Sequence, residues 1–133
     1  MKITFNGTAG SEGFPALFCE CEHCTSVRKM EPINFRKRSS CLIDESLLID
    51  FSPDTYASTL FGKLDLTKVK DIIFTHSHAD HFYPQDLSKI MPPYGNHNRK
   101  EPLHVYGNSS IGEHMEGIGI SEPKLSQYLD FQL

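Results

Sequence analysis

Three histidines and an aspartate, His76, His78, Asp80 and His81, fall within six residues directly after the apolar run Ile72-Ile73-Phe74. Imidazole nitrogens and a carboxylate oxygen suit borderline ions such as zinc, manganese or iron. In an extended segment side chains alternate sides, so His76, His78 and Asp80 would share one side and His81 would point away. A kink at Asp80, where the chain turns toward a helix, would return His81 to the same cavity. The spacing then suits two adjacent metals better than one. A water-facing polar loop is the plain alternative, and the density of ligand residues argues against it. A strand is therefore required at Asp71–Phe74, delivering a ligand-rich loop at its end.

A second cluster lies earlier, at Cys19-Glu20-Cys21-Glu22-His23-Cys24. Three thiolates so closely spaced can chelate one ion, and zinc is the usual choice. His23 sits between Cys21 and Cys24, where joining a tetrahedral site is cramped, so a fourth ligand from elsewhere in the fold is expected. A redox role is the weaker reading, because no thioredoxin-like βαβ pattern surrounds the CxxC.

Composition narrows the class. A chain of 133 residues has room for one domain, and a net charge of -4 gives no global drive toward nucleic acid or an anionic membrane. The amino-terminal stretch has no apolar h-region and no run is long enough to cross a bilayer, so a cytoplasmic protein is expected. In that setting the four cysteines read as metal-binding rather than disulfide-forming.

Along the chain, Lys2–Phe5 alternates as a first strand, and Gly7, Gly10 and Gly13 punctuate a loop. A short helix is expected from Thr25, limited by Pro32. Arg28, Lys29, Arg36, Lys37 and Arg38 make a basic stretch. It reads as a solvated face rather than a phosphate or RNA contact, since Phe35 is its single aromatic. Cys41-Leu42-Ile43 and Leu47-Leu48-Ile49 read as a hairpin turning at Asp44-Glu45-Ser46, with Cys41 a buried small residue. Ser52-Pro53-Asp54 opens a helix that Gly62 stops. Pro84 and Asp86 open another short helix, Leu103–Tyr106 reads as a strand, Asn108–Glu116 as a helix, and Tyr128–Leu133 as the start of a strand.

The string His76-Ser77-His78-Ala79-Asp80-His81, with Thr75 and the strand before it, resembles the HxHxDH signature of the metallo-β-lactamase-fold hydrolases. The resemblance implies an α+β fold, a four-layer αββα sandwich. Residues 1–133 resemble its N-terminal half, a single domain incomplete at its C-terminal end. It implies that His76 and His78 hold one metal, Asp80 and His81 a second, with Asp80 also orienting the attacking water as the catalytic residue. It implies too that Asp50, ending the second hairpin strand, lies beside the metal loop.

The cysteine cluster, placed shortly after the first strand, resembles that of the cyclic-phosphate phosphodiesterases of phosphonate breakdown. There Cys19, Cys21 and Cys24 would hold a structural zinc completed by a distant histidine. It also resembles a relative linked to pyrroloquinoline quinone synthesis, which generally lacks an intact HxHxDH. The expectation is a metal-dependent phosphodiesterase with two zinc or manganese ions and one structural zinc, acting on a small, cyclic phosphodiester through a metal-activated water. An RNA-processing nuclease of the same fold would need an RNA-binding arm that nothing here resembles, so neither nucleic acid nor a membrane is an expected partner. A non-catalytic zinc-binding module is the other alternative. His97, His104 and His114 lack the context of further ligands and are expected to be ordinary packing or surface residues. Four ligands shared by two metals, with one apolar sheet face uncovered, imply a homo-oligomer or a piece of a longer protein.

Overall fold

The two apolar runs after Ser39 form an antiparallel hairpin, β2 (Ser40–Ile43) and β3 (Leu47–Ile49), following a first strand β1 (Ile3–Gly7). Asp44 and Glu45 turn it at φ of 47° and 64°, and Ser46 N–H closes the turn on the Ile43 carbonyl at 3.1 Å, within a three-residue loop between the paired Ile43 and Leu47. The computed structural model describes residues 1–62 and 64–133. Three further strands follow, β4 (Asp71–Ile73), β5 (Leu103–Tyr106) and β6 (Leu129–Gln132), and the six form one sheet in sequence order. β1, β2 and β3 pair antiparallel, whereas β3 to β6 run parallel.

Register explains the core. Leu42, Leu48, Ile72 and Val105 lie directly opposite one another across four strands, and each is 5% exposed or less. Ile111 and Met115 of α3 (Ser109–Gly117) and Leu87 of the 3-10 segment Pro84–Ile90 pack with this row. Each fully buried aliphatic side chain contributes about 1.5–3 kcal/mol relative to leaving it in water.

The other face of the sheet carries Phe5, Cys41, Ile49 and Ile73 in one row and Ile3, Ile43 and Leu47 in the next. Phe5 is 71%, Ile3 48% and Ile73 39% exposed. One sheet with helices packed on one face is half of the expected four layers, and the expected uncovered apolar face is present. Cys41 is a correction: it is half-buried on this outer face, since the inner positions of β2 belong to Ser40 and Leu42.

The starts of two helices also differ from expectation. The first helix, α1 (Glu22–Val27), begins inside the cysteine cluster rather than at Thr25, because Cys21 caps it and accepts the Cys24 N–H at 3.5 Å. The short helix expected after the ligand loop is present as the 3-10 segment Pro84–Ile90. The remaining helix, α2 (Thr55–Phe61), ends at Gly62 as expected but starts after the expected Ser52 cap: Asp54 is its N-cap, and Ser52 Oγ accepts the Asp54 N–H at 3.2 Å.

Candidate metal centre

β4 is a central strand, flanked by β3 and β5, and its C-terminal end opens into Phe74–His81. Side chains at the carboxyl ends of parallel strands commonly form the binding crevice of such sheets. Regular pairing stops at Ile73, and backbone bonds then hold the loop on both sides. Phe74 N–H donates to the Tyr106 carbonyl at 2.9 Å, and Phe51 N–H to the His81 carbonyl at 2.9 Å. Tyr83 N–H returns to the Phe51 carbonyl at 2.8 Å, and Asp50 N–H reaches the Ile73 carbonyl at 2.9 Å.

The expected kink is a turn over His78–Phe82, in which both His81 and Phe82 N–H groups donate to the His78 carbonyl, at 2.9 and 2.8 Å. It returns the His81 ring to 4.2 Å from that of His76, whose ring also lies 4.8 Å from that of His78. Asp80 joins them, its Oδ2 lying 3.2 Å from His81 Nε2. All four sequence-derived residues therefore gather at one end of the sheet.

Asp50 organises this group. It is 4% exposed and held at φ 60°, a left-handed conformation that a non-glycine residue adopts at a cost of about 1–3 kcal/mol. That backbone turns its carboxylate under the loop. Thr75 N–H donates to Oδ1 at 2.8 Å, the Thr75 hydroxyl reaches both oxygens at 3.0 Å, and His81 Nδ1 lies 2.7 Å from Oδ2. A carboxylate only accepts, so His81 carries its proton on Nδ1 and turns Nε2 toward Asp80. The His81 Nε2 and the Asp80 Oδ2 stand side by side at 3.2 Å, a nitrogen and an oxygen ligand atom at the mouth of the same loop. The nitrogen and oxygen donors thus fit zinc or manganese.

The three cysteine sulfurs lie within 4.8 Å of one another. A tetrahedral zinc with bonds of about 2.3 Å holds sulfurs about 3.8 Å apart, so a small closure suffices and the cluster can hold a metal. The Cys24 backbone N–H, and then the neighbouring Cys19 and Cys24 thiols, hold the Cys21 thiol below its ordinary range. The Cys21 backbone N–H lowers Cys19, but the thiols of Cys21 and Cys24 beside it outweigh that pull and leave Cys19 raised. His23 is exposed and is not among the gathered ligands.

Sequence reasoning missed several supports. Arg28 donates to the carbonyls of Cys19 and Ala16, each at 2.6 Å, and so fastens the cysteine loop. Arg38 pairs with Asp54 at 2.9 Å, and Lys37 donates to Ser58 at 2.8 Å. Arg28, Lys37 and Arg38 are thus tied to the fold as well, while Arg28, Lys29 and Arg36 keep the expected exposure to solvent. Ser110 of α3 donates to Ser77 at 3.2 Å, tying the helix to the ligand loop. The three later histidines each have a hydrogen-bond partner away from the loop: His97 the Ile90 carbonyl, His104 the Asp130 carboxylate across β5 and β6, and His114 the Ser110 carbonyl.

Residues 35–83, from the approach to β2 through the whole ligand loop, match the Metallo-beta-lactamase superfamily. A diphosphatase of the PhnP family superposes on 98% of this chain and 49% of its own, with a TM-score of 0.71 and 23% identity. The chain has the fold of the metallo-β-lactamase superfamily. Within it, zinc-bound PqqB from Methylobacterium extorquens also superposes with a TM-score of 0.71, at 17% identity, over 98% of this chain and 44% of that one. The short form of human tRNase Z gives 0.61 at 20% identity, over 98% and 43%. Among curated relatives, Ribonuclease Z of Clostridium tetani is 32% identical over 87 residues, 65% of this chain and 26% of that protein. Ribonuclease Z of Methanococcus maripaludis is 26% identical over 125 residues, 90% of this chain and 34% of that protein. The chain thus spans about a fifth to a third of the curated relatives it matches. Among the described residues, no helix is long and apolar enough to cross a membrane.

Proposed function

We propose that this chain supplies the metal-binding part of a metal-dependent hydrolase that cleaves phosphodiesters. The observation that carries the proposal is the turn at His78–Phe82, which gathers His76, His78, Asp80 and His81 above the buried Asp50. Two divalent ions bound there, zinc or manganese, would supply Lewis acidity and a water acidic enough to attack near neutral pH. His76 and His78 would hold one ion; Asp80 and His81 would hold the other. Asp80 would also orient the water, its carboxylate accepting a water proton in a hydrogen bond. Asp50 acts beneath them, fixing the His81 ring rather than touching substrate. Cys19, Cys21 and Cys24 would hold a separate zinc that braces the loop beneath Arg28, apart from the chemistry.

Hydrolysis of bis(p-nitrophenyl) phosphate with zinc or manganese tests the reading. The expected result is turnover lost in His78→Ala and kept in Cys19→Ser under conditions where the latter stays folded. Absence of zinc or manganese binding at the loop in the wild-type chain, or binding there that His78→Ala leaves unchanged, would refute it.

For the substrate class, the cysteine cluster, through the resemblance it carries to the cyclic-phosphate phosphodiesterases, supports a small, cyclic phosphodiester. The curated relatives named Ribonuclease Z support a second reading, RNA, and weigh against dismissing nucleic acid as a partner. Side-by-side assays with a cyclic ribose phosphate and a tRNA precursor separate the two. The exposed apolar face of the sheet supports a homo-oligomer or a second half-domain as its cover. A stable monomer in sedimentation, with that face in water, would rule out the homo-oligomer.

A further inference from the structure

The Thr75 hydroxyl lies 3.0 Å from both carboxylate oxygens of Asp50 and 3.0 Å from Nδ1 of His76. A hydroxyl has a single proton to give and lone pairs with which to accept. The Asp50 carboxylate can only accept, so the Thr75 proton goes to Asp50. The Thr75 oxygen is then the acceptor in its other contact, and His76 must be the donor, with its proton on Nδ1.

We infer that Thr75 is a positioning residue that relays the orientation of Asp50 to His76, fixing that ring as its Nδ1–H tautomer with the Nε2 lone pair free for a metal. One buried carboxylate thereby sets two rings: His81 through a direct contact, and His76 through one hydroxyl. The Thr75 backbone makes the relay rigid, because its N–H is bonded to the same carboxylate at 2.8 Å. The role needs a hydroxyl but not a methyl group, so serine serves and the near-isosteric valine does not.

The inference rests on the proposed reading of His76 as a metal ligand, but its main test does not need metal. Long-range 1H–15N correlation of the histidine rings in the metal-free chain, at about pH 8.5, above the ordinary imidazole range, reports the tautomer directly. The expected result is His76 as Nδ1–H in the wild type and in Thr75→Ser, with a shift toward Nε2–H in Thr75→Val. Thr75 is exposed, so Thr75→Val should keep the fold, which circular dichroism checks. Zinc affinity at the loop should fall about 10–100-fold in Thr75→Val and return in Thr75→Ser. An Nε2–H ring for His76 in the wild type overturns the inference, whatever the fate of the variants. So does a His76 ring unchanged in Thr75→Val, or a switched ring with unchanged zinc affinity. Because tautomers are read without substrate, failure here is distinct from failure of the hydrolase reading.

Discussion

The two ligand clusters are built on different principles. Cys19, Cys21 and Cys24 depend on local spacing: a short loop, a helix start capped by Cys21, and one arginine gripping two carbonyls. His76, His78, Asp80 and His81 depend on the sheet, since their loop is fixed by Tyr106 on β5, by Phe51 and by the strained Asp50 at the end of β3. A cluster of the first kind is nearly complete in its own sequence. One of the second kind exists only once distant strands have paired.

The largest effect should come from the shared core. Leu48 is fully buried opposite Leu42 and Ile72, so Leu48→Ala should cost about 2–5 kcal/mol, read as a shift in a urea or thermal unfolding curve. If the clusters differ as described, the destabilised chain loses zinc from the histidine loop before it loses zinc from the cysteines. Release in the reverse order would break the contrast.

Asp50→Asn isolates the sheet-dependent cluster more finely. The amide cannot accept from Thr75 and His81 as the carboxylate does, so metal affinity at the loop should fall about 10–100-fold in a zinc titration. Zinc at the cysteines should be unaffected.

The cysteines offer a test in the metal-free chain. A lowered thiol pKa means a larger thiolate fraction at neutral pH, and the thiolate is the reactive form. Cys21, exposed and lowered, should be alkylated before Cys19, which is raised, and before Cys41, whose thiol burial pushes up. Peptide mapping after brief iodoacetamide treatment reads the order. Raising the pH should narrow the gap, because the raised thiols then ionise as well.

The smallest effect belongs to the hairpin. Glu45 sits at φ 64° with an exposed contact to Lys68, and such surface pairs contribute little. Glu45→Gly removes the left-handed strain and should raise stability by about 0.5–1 kcal/mol, without altering metal binding at either cluster.

What the sequence disclosed follows the same division. Apolar runs marked the strands because β2 to β5 bury alternate residues, and HxHxDH and CxCxxC marked the candidate ligands because their spacing is local. The left-handed Asp50, the Thr75 contact to His76 and the grip of Arg28 could not be read in advance. Asp50 meets Thr75 and His81 only once β3 and β4 have paired, the Thr75–His76 contact takes its direction from Asp50, and the Arg28 grip needs its loop already closed. Cys41 was misjudged for the same reason: an apolar run does not say which of its residues faces the helices.

Zinc titration of the wild-type chain, beside His78→Ala and Cys19→Ser, bears most directly on the existence of two separate metal centres. Two independent classes of site, one lost in each variant, are expected. A single class, abolished by Cys19→Ser and untouched by His78→Ala, would contradict it and leave the chain a zinc-braced module without a hydrolytic centre.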